Sequence, residues 1–161
     1  MKRIVMMAVS VILALTMAAP MVYEQGQGGA PEPVDQTIDL NAGDVFGRCD
    51  FPIRLELNGK AKTIDLPGDR FMFTSPGLKA TLTNLDNGHQ ETLNVTGAFH
   101  QTTSENGDVE TVVTGRNLLG DPEAGFVLAK GRFSFVFDEN GNLVQPLSGK
   151  GKLTDVCALL A

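Results

Sequence analysis

The chain has 161 residues, with 13 basic and 19 acidic side chains, and its formal net charge at pH 7 is −6. This length suits one domain of ordinary size. The acidic balance argues against a nucleic-acid partner, because neutralising phosphates requires clustered Lys and Arg. It argues equally against an anionic membrane surface.

Residues 1–18 are predicted to be a secretory signal peptide. Lys2 and Arg3 form the positive start, an apolar stretch follows over 4–15, and small residues Ala18 and Ala19 mark the cleavage region. The apolar run is shorter than the ~20 residues that a membrane-spanning helix needs. Cleavage after Ala18 removes both leader cations, which takes the net charge from −6 to −8. We therefore expect a secreted protein with no membrane anchor after cleavage.

Residues 19–43 have the composition of a linker, rich in Gly and Gln and then in Pro. They hold few regularly spaced apolar side chains, so they are predicted to be a flexible spacer. The alternative is a docked strand, with Ile38 and Leu40 as its anchors. Under the first interpretation, the folded domain covers residues 44–161.

Cys49 and Cys157 are the two cysteines of the chain, and they lie at opposite ends of the patterned region. Because oxidising compartments favour pairing, an exported chain with an even number of cysteines predicts a disulfide bond between them. The alternative, a single cysteine acting as a nucleophile, would need a neighbouring base and a thiol without a partner.

Four Asn-Gly dipeptides divide the domain, each flanked by alternating apolar and polar residues. Asn-Gly suits the type I′ hairpin turn, in which both central residues need a positive φ. We therefore expect an all-β fold of about eight to ten mostly antiparallel strands, with one short helical turn over 155–160. An up-and-down barrel closed by its first and last strands is favoured, and a β-sandwich is the alternative. The dipeptides are Asn58-Gly59, Asn87-Gly88, Asn106-Gly107 and Asn140-Gly141.

No motif in the sequence indicates catalysis or a cofactor. The two histidines, His89 and His100, leave too few soft ligands for a zinc site. There is no Gly-x-Ser-x-Gly nucleophile motif and no Gly-x-Gly-x-x-Gly dinucleotide motif. The sequence therefore predicts no metal, no cofactor and no catalytic residue, and a non-enzymatic protein is favoured over an enzyme.

One pair of residues is a candidate ligand-binding site. His100 and Arg116 fall on successive predicted strands joined across the Asn-Gly turn at 106–107. Pairing about that turn places His100 opposite Val113, a diagonal or two from Arg116. Inside a barrel mouth, these two side chains would bind an anionic or polar ligand. The alternative is an exposed polar strand face.

The stretch from Cys49 to Ala161 resembles a family of secreted proteins of actinobacteria and related bacteria that has no assigned activity. The resemblance implies secretion and a shared fold, and it carries over no functional residue. Its motifs are Phe73-Thr74-Ser75-Pro76-Gly77, Thr83-Asn84-Leu85-Asp86, Gly131-Arg132-Phe133 and Asp155-Val156-Cys157-Ala158-Leu159-Leu160.

Three functions remain open. The first is a secreted, non-enzymatic β-barrel that binds a small apolar or amphipathic molecule. The second is an extracellular structural or interaction module that acts through its outer faces or loops. The third is a cofactor-free enzyme that uses His100 and Arg116. A cavity on the order of several hundred Å³ would favour the first or third, and a filled interior would favour the second.

Overall fold

The computed structural model describes residues 29–44 and 49–161, and this part of the chain is almost entirely β-structure. It contains nine strands and one short helix, so the prediction of an antiparallel all-β fold is confirmed. The elements are β1 (Glu32–Leu40), β2 (Ile53–Leu66), β3 (Arg70–Thr74), β4 (Lys79–Asn84), β5 (Gln90–Asn94), β6 (Gly97–Thr103), β7 (Val109–Asp121), β8 (Gly125–Phe137), β9 (Leu143–Asp155) and α1 (Val156–Leu160).

The strands run in the order β5-β4-β2-β3-β6-β7-β8-β9, and β1 lies beside β2. Strand β2 is shared between two parts of the sheet, because its first part pairs with β1 and β4 while its last five residues, 62–66, pair with β3. In the described ranges, β5 and β9 are the two ends of this order and do not pair with each other. The sheet is therefore not closed by its first and last strands.

Strand β1 lies where the sequence suggested a flexible linker. All nine of its residues, Glu32–Leu40, pair with β2. Its alternation explains why, because Val34 and Ile38 pack against the core and Leu40 is buried, while Asp35, Thr37 and Asp39 are exposed. The linker prediction over 19–43 is thus wrong for residues 32–40, and residues 19–28 lie outside the described residues, as does the predicted signal peptide.

Three of the four Asn-Gly dipeptides lie at the turns between β4 and β5, β6 and β7, and β8 and β9. The prediction of a turn is wrong for Asn58-Gly59, which lies inside β2. A Cβ on Gly59 would come within 2.6 Å of Leu78 Cα, so glycine here lets the loop before β4 cross the strand. The type I′ prediction is also wrong, because Asp69 is the one non-glycine residue in the described ranges with a positive φ.

The β7–β8 hairpin bends back on itself. Leu119 pairs with Val127 near its tip, yet Leu119 lines a small cavity together with Phe135 and Phe137. A straight strand rises about 3.3 Å per residue, so Val127 and Phe135 would otherwise lie about 26 Å apart. Strand β8 must therefore bend between them, which brings the two ends of the same sheet face together.

A row of glycines crosses four strands at the middle of this bend. Gly97 pairs with Gly115, Gly115 with Gly131, and Gly131 with Gly151. A Cβ on Gly131 would lie 2.3 Å from Lys150 O and 2.7 Å from Gly151 Cα. The backbones approach too closely here for any larger residue, and the glycine row is where the sheet can fold.

Two apolar clusters result from this fold. The first lies between β1, β2, β4, the tip of the β7–β8 hairpin and α1, and its fully buried members include Ile53, Leu55 and Leu160. The second fills the concave side of the bend, where Phe99 stacks on Phe73 with a ring distance of 5.0 Å. The described interior is therefore packed with side chains on both sides of β7 and β8.

The predicted disulfide is confirmed. Cys49 and Cys157 are bonded, with their Cα atoms 5.2 Å apart. The bond joins the chain just before β2 to helix α1, whose first turn is capped by the Asp155 side chain accepting a hydrogen bond from Ala158 N. It therefore fastens the C-terminus to the first cluster and does not join two strands at a barrel seam.

Candidate functional site

The two predicted ligand-binding residues both lie in solvent. His100 and Arg116 are exposed on the same outer face of the sheet. The ladder is shifted by one residue from the predicted register, so His100 pairs with Val112. That partner lies four positions from Arg116, or about 13 Å along the strand. The structure thus places them apart on an open face. The inward positions of β6 and β7 are taken by residues such as Phe99 and Val113.

Arg116 instead belongs to a group of cations that spans three strands. Arg116 pairs with Lys130, and Lys130 pairs with Lys152, which makes one row across β7, β8 and β9. In the next row on the same face, Arg132 pairs with Lys150. We call these five residues the cationic surface. All five are exposed.

Within the described residues, no member of the cationic surface forms an ion pair. Across the part of the chain that the structure describes, the two ion pairs are Arg54–Asp39 and His89–Glu91, and neither includes a member of the cationic surface. Like charges on directly paired strand residues repel each other and destabilise the sheet. The protein as a whole is acidic, with a net charge of −6, so this concentration of positive charge is a local departure from its composition.

The glycine row lies beneath the cationic surface. Gly131 and Gly151 fall between the two rows of cations, and the sheet bends at this line. The concave side holds the second apolar cluster, so the five cations project from the convex side. A convex surface presents its charges to a large partner and does not enclose a small molecule.

Hydroxyl side chains border the cations on the same face. Thr114 pairs with Arg132, and Ser134 pairs with Ser148, directly beyond the row that contains Lys150. Of the aromatic rings of β8, Phe133, Phe135 and Phe137 point to the opposite face of the sheet, where they belong to the second cluster, and Phe126 is buried in the first cluster. The cationic surface therefore offers charge and hydrogen-bonding groups to a partner, but no ring for stacking.

The concave interior has little room for a ligand. The cavity between the two ends of the hairpin has a volume of about 10 Å³ and is lined by Leu119, Asp121, Phe135 and Leu147, among others. A single water molecule needs about this much space. Asp121 is buried beside it, with its carboxylate accepting hydrogen bonds from Glu123 N and Ala124 N.

The groups available for catalysis are few in the described ranges. No cluster of three or more His, Cys, Asp or Glu residues there could hold a metal ion, and both cysteines are in the disulfide. Asp39 has a lowered pKa because Arg54 donates hydrogen bonds to it, and Asp138 has a lowered pKa because Asn142 does so. Asp39 is exposed and Asp138 is half-buried, and the hydrogen bonds of both carboxylates within the protein give them a structural role.

Sequence reasoning identified Arg116 but missed the other four cations. These four residues are separated by up to 22 positions along the chain. Lys130 and Lys152, the most distant two, come together only through the pairing of β8 with β9. The signal that could have revealed them is the alternation in Lys130-Gly131-Arg132 and Lys150-Gly151-Lys152. In each run, two cations flank a glycine and so fall on one face of a strand.

Compared with known proteins, the chain matches no family model, no curated protein and no solved structure. The resemblance to secreted proteins of actinobacteria therefore stays a prediction. In the residues that the structure describes, no helix is long and apolar enough to cross a membrane.

Proposed function

We propose that the protein is a secreted, non-enzymatic module that binds another macromolecule through the cationic surface. The observation that carries this proposal is the cluster of five exposed cations on an otherwise acidic protein, none of which forms an ion pair with another described residue. Arg116, Lys130 and Lys152 face each other across neighbouring strands, which costs stability. An anionic partner would offset that cost, which no ion pair among the described residues does.

The packed interior supports this function over that of a small-molecule carrier. Drug-sized ligands occupy pockets of roughly 300–1,000 Å³. The cavity on the concave side has about 10 Å³, and Phe99 and Phe133 there are buried in the second cluster. Binding a small apolar molecule at this place would require the hairpin to unfold from its own core.

The exposed position of His100 and Arg116 also supports a binding module over an enzyme. General acid–base catalysis needs groups within hydrogen-bond reach of one substrate atom. These two side chains lie on a convex face, about 13 Å apart along the strand direction. Neither faces a cleft that would exclude water from a reaction. The disulfide and the predicted signal peptide support the secreted location.

The proposal is tested with cell-envelope material of the cells that secrete the protein. The mature protein is mixed with this material and pelleted, and the bound fraction is compared with that of the double variant Lys130→Ala/Arg132→Ala. We expect the parent to pellet and the double variant to remain in the supernatant. The matched control is Lys60→Ala/Lys79→Ala, which removes the same charge from exposed positions on β2 and β4.

Two results would contradict the proposed function. One is equal pelleting of the parent and the Lys130→Ala/Arg132→Ala variant. The other is a stoichiometric small molecule found by native mass spectrometry in protein purified from culture supernatant, because that result would favour the carrier function. Circular dichroism of every variant checks that the fold is retained.

A further inference from the structure

We infer that the partner of the cationic surface is a linear acidic polysaccharide, that is, an unbranched glycan carrying carboxylate or sulfate groups. This inference rests on the proposed function and names the ligand class of the same site. Three features carry it: the grid on which the cations lie, the shape of the surface, and the neutral groups between the charges.

The cations form a regular grid. Neighbouring strands lie about 4.8 Å apart, and alternate residues of one strand lie about 6.6 Å apart on one face. Lys130 and Arg132 are one such step apart on β8, as are Lys150 and Lys152 on β9. A polymer with repeated anionic groups can place several of them on this grid at once, whereas a single small anion meets one or two cations.

The open, convex shape favours a polymer over a small anion. Exposed ion pairs in water are individually weak, because solvent screens them and both side chains lose freedom. Useful affinity at such a site requires several contacts made by one molecule, so that the later contacts form at high effective concentration. The five cations of the surface can supply this only to an extended partner that crosses β7, β8 and β9.

The neutral groups distinguish a glycan from other polyanions. Single-stranded nucleic acids are held by aromatic side chains on which the bases stack, and the rings of Phe133 and Phe135 point to the concave side instead. An amphipathic membrane-binding surface has large apolar side chains among its cations. Here the residues beside the cations include Thr114, Ser134 and Ser148, whose hydroxyls can exchange hydrogen bonds with sugar hydroxyls, and the apolar partner of Ser134, Val112, is half-buried.

The test measures binding of the mature protein to defined polymers by isothermal titration calorimetry at about 50 mM and about 200 mM salt. Polygalacturonate supplies carboxylates, heparin supplies sulfates, and dextran is the neutral control. We expect binding to at least one acidic glycan at low salt, at least a tenfold loss at the higher salt, and no binding to dextran. Comparison of the two acidic glycans identifies the preferred anionic group.

Charge variants then locate the site. Lys130→Ala/Arg132→Ala is expected to weaken binding of the preferred glycan at least tenfold, and Lys60→Ala/Lys79→Ala is expected to change it less than twofold. Galacturonic acid monomer is expected to give no measurable binding. Equal binding by the parent and the Lys130→Ala/Arg132→Ala variant would overturn the inference.

Further probes separate this inference from the proposed function. Tighter binding to an oligodeoxynucleotide, to polyphosphate or to phosphatidylglycerol vesicles than to either acidic glycan would overturn the glycan inference. In that case, pelleting with envelope material that depends on Lys130 and Arg132 would leave the proposed function standing. If that pelleting is absent as well, both are wrong.

Discussion

Arg116 on β7 and Lys130 on β8 occupy directly paired positions of neighbouring strands, although both side chains are positively charged. Lys152 continues the row on β9. Each Lys or Arg at such a position would be expected to face an acidic or neutral residue if stability alone determined the sequence. The row thus indicates a surface whose charges serve a partner at some cost to the fold.

This repulsion predicts that removing the like charge stabilises the protein. In Lys130→Glu, the new carboxylate would face Arg116 on one side and Lys152 on the other, so repulsion is replaced by attraction. Cross-strand charge pairs of this kind contribute roughly 0.2–1 kcal/mol, and we expect the free energy of unfolding to rise by about 0.5 kcal/mol. Chemical denaturation at low salt measures the change.

The control for this prediction is Lys79→Glu, because Lys79 pairs with the neutral residues Asn58 and Asn94. Its free energy of unfolding should change less than that of Lys130→Glu. The gain in Lys130→Glu should also shrink in concentrated salt, since screening weakens both the repulsion and the attraction. A Lys130→Glu variant that is less stable than the parent at low salt would show that the row is not strained by its charges.

The glycine row predicts a steep cost for added side chains. In Gly131→Ala, the new Cβ would lie 2.3 Å from Lys150 O, and the residue would keep a φ of +142° that L-residues rarely adopt. Either β8 and β9 separate or the bend opens, so we expect a loss of about 3 kcal/mol or more in the free energy of unfolding.

Gly88→Ala separates the two causes of that loss. Gly88 also has a positive φ, +75°, but nothing lies within 4 Å of the Cβ that alanine would add. The cost there is the backbone conformation alone, about 1 kcal/mol. Thermal or chemical unfolding of both variants gives the comparison, and similar losses in the two would mean that close approach at the glycine row does not matter.

The sequence was a good guide to local structure and a poor guide to how the strands bend. Alternation alone explains β2, where Ile53, Leu55 and Leu57 are buried and the residues between them are exposed. Alternation could not show that Asn58-Gly59 continues a strand. Glycine is needed at position 59 because the loop before β4 passes over it, and that loop is distant in the sequence. The same holds for the glycine row, whose members are recognisable only once the register of four strands is known.

The candidate site was harder to predict for a related reason. Net charge is a sum over the chain, so a value of −6 concealed a surface on which five cations gather. The sequence pattern points to Arg116 through an expected proximity to His100, whereas in the structure His100 pairs with Val112, four positions from Arg116. A one-residue change in register alters which side chains meet, and short-range patterns do not fix it to that precision.

Strand β1 predicts that the N-terminal segment contributes to stability. Leu40 is 5% exposed and belongs to the first cluster. Leu40→Ala should lower the free energy of unfolding by about 2–4 kcal/mol, as expected for a buried leucine. Thr37→Ala, at an exposed position of the same strand, should change it by less than about 0.5 kcal/mol. Denaturant unfolding of both variants measures these changes in free energy. Equal changes would indicate that residues 32–40 do not contribute to the packed domain.

The turn between β8 and β9 predicts a dependence of stability on pH. The pKa of Asp138 lies below its ordinary value of 3.8, first because the Asn142 side chain donates a hydrogen bond to it and further because the backbone N–H groups of Asn142 and Asn140 do so. A carboxyl group whose pKa is lower in the folded state stabilises the protein above the unfolded pKa. That stabilisation is lost as the pH falls through the folded pKa.

Asn142→Ala tests this arrangement, because it removes the side-chain donor and leaves the backbone donors in place. The pKa of Asp138, followed by NMR of its carboxyl carbon, should rise toward 3.8 without reaching it. The variant should be less stable than the parent at about pH 6, and the difference should shrink as the pH falls through the folded pKa and vanish once the carboxyl group is protonated in both states. Asn87→Ala is the control, since the Asn87 side chain accepts a hydrogen bond from His89 N in a different turn. It should leave the pKa of Asp138 unchanged. A stability difference for Asn142→Ala that persists after the carboxyl group is protonated in both states would assign its effect to the turn conformation instead of the charge.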